Sequence, residues 1–133
     1  GQAYIRFEPR GQYIGTEPYS KWTKPSCVLI GEDNYSDASG FPYVYKTLGI
    51  GKLIGAPVPG TMTAVWWETQ IDPSIVFGIP QVGSVGTKEG RYLENMQVEP
   101  DILVYNDPAS VLRGEDKQLE AAVKEMLKTI DNK

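Results

Sequence analysis

The fold is decided by residues 27–55, which read CVLIGEDNYSDASGFPYVYKTLGIGKLIG. The stretch begins with a short apolar run, Cys27–Ile30, which is typical of a strand buried on both faces of a sheet. Residues 36–48 follow with helical periodicity, and Gly49 suits the position that ends a helix. The apolar face of this predicted helix contains Phe41, Val44, Tyr45 and Leu48. A second short strand is predicted at Lys52–Gly55, so the stretch predicts a βαβ-like unit within about 30 residues.

Further elements are predicted on both sides of this unit. Strands are predicted over 3–8, 61–71, 74–77, 81–85 and 101–105, and 9–26 is predicted to be an irregular loop whose aromatic rings (Tyr13, Tyr19, Trp22) pack on the core. Trp66 and Trp67 are expected on opposite strand faces, one in the core and one toward a surface groove or solvent.

The C-terminal part is predicted to be helical. Asp107 and Pro108 are typical of an N-cap and a first helical residue. The last helix is predicted from one apolar stripe, with Glu115 and Asp116 in its first turn. The stripe consists of Leu119, Ala122, Val123, Met126, Leu127 and Ile130.

The composition excludes several classes of function. The chain has 133 residues, 13 Lys+Arg and 17 Asp+Glu, which gives a net charge of −4 and argues against nonspecific nucleic-acid binding. No apolar run approaches the roughly 20 residues needed to span a bilayer. The chain contains no histidine, so these residues alone cannot form a Ser-His-Asp triad or a zinc site that uses histidine. The single cysteine, Cys27, excludes an internal disulfide and a metal cluster made of cysteines.

The turn between the first strand and the helix could carry chemistry. A serine at this turn is exposed, and the next backbone N–H, at the helix N-terminus, can point at an oxyanion. A nucleophile elbow works in the same way. The alternative is that Ser36 only caps the helix, and spacing alone favours this because serine caps are common.

Several ordered blocks resemble the tail-specific (C-terminal processing) serine peptidases, most closely their tricorn-type branch. The first block contains a Ser-Asp pair at the head of the helix and a Leu-Gly-x-Gly-Lys-x-Ile-Gly ending, here 48–55. The second and third blocks are YLENMQVEPDI at 92–102 and GEDKQLEAA at 114–122. The ordered set extends over about residues 27–127.

The resemblance implies a role for three residues. Ser36 falls on the nucleophile, and Asp37 on the residue whose backbone amide forms part of the oxyanion hole. Glu94 falls on the acidic residue that helps orient the catalytic relay, although a glutamate in such a loop is usually solvated. The family's histidine and second oxyanion donor precede the nucleophile. Because the chain begins within a strand-like alternation, we expect 1–133 to be the C-terminal part of a catalytic domain whose N-terminal part is absent, and therefore inactive alone.

The chain also departs from the family pattern. Thr61 stands where the bacterial branch carries the lysine of a Ser-Lys dyad, so no lysine base is available there. Pro59 stands where tricorn-type members carry an aromatic residue, and Gln97 where a glycine is usual. Gly40 and Pro42 are expected to weaken the start of the helix.

The implied fold is α/β, the ββα-spiral of the Clp protease and crotonase type. The implied activity is hydrolysis of peptide bonds in unstructured tails or short peptides, without a cofactor or metal. The implied partners are a peptide or protein substrate, the rest of the catalytic domain and, as an open question, further copies of the chain. The family favours an extracytoplasmic location, with a cytoplasmic one left open. Two alternatives remain: a non-catalytic binding module of the same fold and, more weakly, a crotonase-like acyl-transfer domain.

Overall fold

The computed structural model describes residues 5–7, 15–17 and 22–131. The strands are β1 (Ile5–Phe7), β2 (Gly15–Glu17), β3 (Cys27–Ile30), β4 (Lys52–Gly55), β5 (Thr63–Thr69), β6 (Val76–Gly83) and β7 (Ile102–Leu103). The helices are α1 (Asp37–Thr47), α2 (Pro108–Leu112) and α3 (Lys117–Asp131). The architecture is mixed α/β, as predicted. No helix in the described ranges is long and apolar enough to cross a membrane.

A three-stranded parallel sheet, ordered β3-β4-β7, forms the centre of the fold. β3 pairs with β4 from Cys27 opposite Lys52 to Ile30 opposite Gly55, and α1 connects the two strands. The predicted βαβ unit is therefore confirmed. Gly49 has a φ of 63° directly after the C-cap of α1, which is the left-handed geometry that glycine tolerates at a helix end. Leu29 is 41% exposed, so the prediction that β3 is buried on both faces was wrong.

The hydrophobic core joins this sheet to the segments that follow it. Its buried members are Ile30, Tyr45, Leu53, Val58, Met62, Leu93 and Val98. Two of them, Met62 and Leu93, stand directly beside Thr61 and Glu94 in the sequence. Full burial of an aliphatic side chain contributes about 1.5–3 kcal/mol to stability. Burial of Met62 and Leu93 therefore holds the backbone next to Thr61 and Glu94 in place.

Helix α1 packs through a different face from the one its apolar spacing predicted. Its buried residues are Ser39, Pro42 and Tyr45. Three of the four predicted core residues are exposed: Phe41, Val44 and Leu48. Short side chains on the buried face allow close approach, and Ser39 Oγ lies 3.0 Å from the carbonyl oxygen of Pro59.

Gly40 and Pro42 do not interrupt α1, which runs through both. A proline at position 42 cannot donate the helical hydrogen bond to the carbonyl of Ala38. The side-chain amide of Asn34 donates to that carbonyl at 2.8 Å instead. The expected weakening of the helix start is thus offset by a polar side chain from the preceding turn.

Strands β5 and β6 form an antiparallel hairpin that differs from the prediction. The two short strands predicted over 74–77 and 81–85 are one strand, because a register shift at the pairing of Val65 with Pro80 accommodates the proline. Trp66 and Trp67 are 56% and 65% exposed, so neither lies in the core.

The predictions for the two ends of the chain were partly right. β1 falls within the predicted strand 3–8, but β2, paired antiparallel with it, lies inside the predicted loop 9–26. Trp22 is 66% exposed and does not pack on the core, whereas Tyr13 and Tyr19 lie outside the described residues.

The two C-terminal helices form where they were predicted, with one change at the start of α3. Asp107 caps α2 as predicted, accepting the Ser110 N–H at 3.0 Å. α3 begins at Lys117, after Glu115 and Asp116, and Asp116 accepts the Leu119 N–H at 2.9 Å. The predicted apolar stripe is split: Ala122 is buried and Met126 half-buried, and four residues are exposed, Leu119, Val123, Leu127 and Ile130.

Candidate active site

Ser36 occupies the N-cap of α1 in a strained backbone conformation, with φ 54° and ψ −116°. A positive φ is uncommon for residues other than glycine, and such conformations cost on the order of 1–3 kcal/mol. The Ser36 side chain makes no capping hydrogen bond. The interpretation of Ser36 as a simple helix cap therefore does not hold, and its hydroxyl is left exposed at the turn.

The turn around Ser36 is held by hydrogen bonds from both sides. Asn34 Oδ1 accepts the Gly31 N–H at 3.0 Å, and the Asn34 amide donates to Ala38 as described above. The Ser36 carbonyl accepts the N–H groups of Ser39 (2.8 Å) and Gly40 (3.1 Å). These contacts determine the backbone on both sides of the serine, which allows the strained geometry to persist.

The Ser36 and Asp37 amides differ in what they bind. The Ser36 N–H donates to Thr61 Oγ1 at 3.1 Å. The Asp37 N–H, in the first turn of α1, has no acceptor within the helix, and the described residues supply none. The helix dipole also favours negative charge at this position. An oxyanion placed beside Ser36 would find the Asp37 amide available.

Glu94 is held in place rather than free in solvent. Its Oε2 accepts both the Met62 N–H at 2.8 Å and the Thr63 hydroxyl at 2.5 Å. The side chain is half-buried, and Oε1 accepts no hydrogen bond from the described residues. One carboxylate oxygen thus anchors the group, and the other can accept a further donor.

The turn that carries Glu94 packs closely on the loop before β5. Asn95 has a φ of 60°, and its N–H donates to the Gly60 carbonyl at 2.7 Å. A Cβ at Gly60 would lie 2.2 Å from the backbone nitrogen of Met96, so only glycine allows this approach. Gly60 therefore sets the distance between the Glu94 turn and the loop.

Residues 61–63 connect the two halves of the site. Thr61 bonds to the Ser36 amide, while Met62 and Thr63 bond to Glu94. Ser36 and Glu94 are 58 positions apart in sequence, yet both contact this one three-residue segment. Ser36 and Glu94 are thus both held by this segment, and Asp37 directly follows Ser36.

Sequence reasoning overlooked four residues that build this site: Asn34, Ser39, Gly60 and Thr61. The Pro-Gly pair at 59–60 marked a turn, and Ser39 lies three residues after Ser36, on the same side of a helix. Neither signal identifies a partner. Thr61 was noted only as the absence of a lysine.

A cavity of about 390 Å³ lies on the neighbouring side of α1. Tyr43 and Glu89 line it, and the Tyr43 hydroxyl donates to Glu89 at 2.5 Å. This hydrogen bond lowers the pKa of Glu89 and raises the pKa of Tyr43.

Across 22–131 and the two short N-terminal strands, no group of three or more His, Cys, Asp or Glu residues could hold a metal ion.

Comparisons with known proteins agree with this architecture. A Chlamydia pneumoniae protein is 34% identical over 103 residues, which are 77% of this chain and 15% of that protein. The tricorn protease of Thermoplasma acidophilum is 28% identical over 124 residues, 93% of this chain and 12% of that protein. The chain thus spans less than a sixth of the length of these relatives.

Solved structures show the same fold. The crystal structure of the tricorn protease superposes with a TM-score of 0.77 at 23% identity, over 98% of this chain and 13% of that one. The crystal structure of mature CPAF superposes with a TM-score of 0.57 at 28% identity, over 65% of this chain and 17% of that one. The sequence profile of peptidase family S41 matches residues 3–104, most of the chain. The chain therefore belongs to peptidase family S41 and resembles its tricorn-like members.

Proposed function

We propose that this chain is part of the catalytic domain of a serine peptidase in which Ser36 is the nucleophile. The observation that carries the proposal is the strained Ser36 backbone, with a hydroxyl that caps nothing. A serine selected only to cap a helix would adopt an extended backbone and bond to the helix amides. Strain maintained by surrounding hydrogen bonds is typical of active sites, including the nucleophile elbow.

The proposed reaction is acyl transfer from a peptide to Ser36 and then to water. The Ser36 oxygen bonds to the scissile carbonyl carbon while a base takes its proton, and the carbonyl oxygen becomes an oxyanion. The Asp37 N–H donates to that oxyanion. When the intermediate collapses, the carbon–nitrogen bond breaks and the amine leaves with the proton from the base. Water then hydrolyses the acyl-serine ester by the same steps.

The base in this proposal is a histidine from outside these 133 residues, because the chain contains none. Thr61 stands where the bacterial branch of the family carries its lysine base, and its oxygen accepts the Ser36 N–H. The second oxygen of Glu94 would accept the N–H of the histidine and stabilise its charged form. These residues alone would then be inactive, and would complete a site whose other half is the rest of the catalytic domain.

The proposed substrates are unstructured peptides or protein tails. The family relationship supports peptide-bond hydrolysis in general, and the exposure of the Ser36 turn suits an extended chain that can reach the hydroxyl. A non-catalytic binding module of the same fold is the competing account, and it does not require the Ser36 strain.

Hydrolysis of an unstructured peptide by the full-length protein tests the proposal. Ser36→Ala should lower kcat by about 10³-fold or more, as nucleophile removal does in serine peptidases. Ser74→Ala, which removes an exposed serine from the β5–β6 turn, should hydrolyse the peptide like the wild type. If Ser36→Ala hydrolyses the peptide with the same kcat as the wild type, the proposal is wrong and the binding module is favoured.

A second variant tests the role of Glu94. Glu94→Gln keeps an oxygen that can accept the Met62 N–H but removes the negative charge. We expect kcat to fall by up to about 10⁴-fold, the loss seen when an orienting carboxylate in a serine peptidase becomes an amide. If kcat is unaffected, Glu94 has no part in the catalytic relay.

A further inference from the structure

A chain of three hydrogen bonds leads away from the backbone of Ser36. The Ser36 N–H donates to Thr61 Oγ1 at 3.1 Å, and Thr61 Oγ1 lies 3.1 Å from Ser39 Oγ. Ser39 Oγ lies 3.0 Å from the Pro59 carbonyl oxygen. Ser39 is fully buried at 0% exposure, and Thr61 is half-buried. Water therefore does not reach Ser39, and the chain ends at the half-buried Pro59.

The available protons determine the direction of these bonds. Ser39 Oγ lies 3.0 Å from the Pro59 carbonyl oxygen and 3.5 Å from that of Asn34, and both carbonyls can only accept. The Ser39 hydroxyl therefore donates to a carbonyl, with Pro59 the shorter contact, and its oxygen is left to accept. The Thr61 hydroxyl then donates to Ser39 Oγ, and its oxygen accepts the Ser36 N–H. In the opposite direction the Pro59 carbonyl would keep only the Thr61 backbone N–H, at 3.0 Å, and the Thr61 hydroxyl proton would have no acceptor among the described residues. Hydrogen bonds aligned in one direction polarise and strengthen each other.

We infer that Thr61 and Ser39 are positioning residues, which hold the nucleophile of the proposed reaction in its strained conformation through this aligned chain. The inference rests on the proposed function of Ser36. Neither hydroxyl touches the substrate or exchanges a proton in the reaction. Their effect is transmitted through the Ser36 amide, which fixes the backbone that carries the reacting oxygen.

The chain also determines which amide serves the oxyanion. Two N–H groups flank the Ser36 side chain, its own and that of Asp37. Thr61 binds the first, so only the Asp37 amide can turn toward a developing charge. If the Thr61 hydroxyl is removed, the Ser36 amide is released and the backbone can relax toward negative φ, which moves the serine oxygen away from its reacting position.

Hydrolysis kinetics of full-length variants test this inference. Thr61→Val is close in shape but has no hydroxyl, and Ser39→Ala breaks the chain one step further away. Each should lower kcat about 10- to 100-fold, because a hydrogen bond that keeps the site aligned is lost, while KM stays within about threefold. Thr61→Ser restores the hydroxyl and should return kcat to within about threefold of the wild type.

Matched controls separate positioning from a general loss of stability. Ser110→Ala removes another fully buried serine hydroxyl at the α2 corner, and Thr129→Val makes the same change as Thr61→Val on α3. Both controls should keep the wild-type kcat. A Thr61→Val variant that keeps the wild-type kcat, while Ser36→Ala is inactive, overturns the inference and leaves the proposed function intact. An active Ser36→Ala variant overturns the proposed function itself.

Hydrogen exchange of the Ser36 amide is a readout that does not depend on activity. Mass spectrometry with backbone fragmentation on both sides of residue 36 can resolve it in the full-length protein. In the wild type the Ser36 amide should exchange more slowly than the Asp37 amide, which lacks an acceptor. Thr61→Val should accelerate Ser36 exchange by about tenfold or more, and Thr61→Ser should not. Unchanged exchange in Thr61→Val overturns the inference.

Discussion

Gly60→Ala should misalign the proposed active site by forcing apart two segments that now touch. The added Cβ would lie 2.2 Å from the Met96 nitrogen and 2.6 Å from the Met96 oxygen, both of which are backbone atoms. The Gly60 and Met96 segments would have to move apart by about 1 Å to restore an ordinary van der Waals distance. The Asn95 to Gly60 hydrogen bond, now 2.7 Å, would stretch with it. Glu94 would then move relative to Met62 and Thr63.

The size of the effect follows from this displacement. Overpacking of a tight contact costs about 1–3 kcal/mol of stability. A 1 Å misplacement of a catalytic group can cost about 10²-fold in rate. We therefore expect Gly60→Ala to lower kcat/KM by about 10²-fold while the full-length protein remains folded.

Gly40→Ala provides the matched comparison, because it makes the same substitution nearby in α1. Its Cβ would meet only the Met62 sulfur, at 3.9 Å, which is ordinary contact. Alanine in a helix interior is favoured over glycine by about 0.5–1 kcal/mol, so this variant should be stabilised and active. Peptide hydrolysis and thermal unfolding of both variants form the assay. A Gly60→Ala protein as active as Gly40→Ala would refute the steric argument.

Three further outcomes follow from the structure. Asn34→Ala should destabilise the start of α1 by about 0.5–1.5 kcal/mol, seen as faster hydrogen exchange of the helix, because the exposed Ala38 carbonyl exchanges its side-chain donor for water. Hydrogen bonds from Lys117, and then from Ser110, lower the pKa of Asp107, so the stability it contributes is present above its unfolded pKa of about 3.9 and is lost as the pH falls further. A carboxyl NMR titration should show this low midpoint, and Asp107→Asn should remove the contribution of Asp107 to the pH dependence of stability. Burial raises the pKa of Cys27, so its thiol should react with iodoacetamide at pH 7 more slowly than a free cysteine.

The elements of the central unit were predictable because their signals are local. The apolar run of β3, the helical spacing of α1 and the glycine after it all lie within residues 27–55. The face that α1 buries could not be read from the spacing. It depends on Ser39 fitting against the loop at Pro59, a contact between segments 20 positions apart.

The candidate site was predictable only where the family resemblance supplied it. Local sequence could not distinguish a capping serine from a nucleophile at Ser36, because the φ of 54° and the unused hydroxyl depend on the surrounding turn. The hydrogen bond from the Ser36 amide to Thr61 could not be predicted from local sequence, because the two residues are 25 positions apart. The alternative for Glu94, a solvated loop residue, could not be judged from local sequence either, because the partners of Glu94 lie on β5 and just before it.

Labelling with a fluorophosphonate tests the central claim, that Ser36 is an activated nucleophile, most directly. The probe forms a covalent bond only with a serine whose hydroxyl is activated. After reaction with the folded full-length protein, peptide mass spectrometry should place the adduct on Ser36 and leave the buried Ser39, three residues away, unmodified. Absence of the adduct from Ser36 in a folded sample, or equal labelling of the Ser36→Ala protein, would contradict the account.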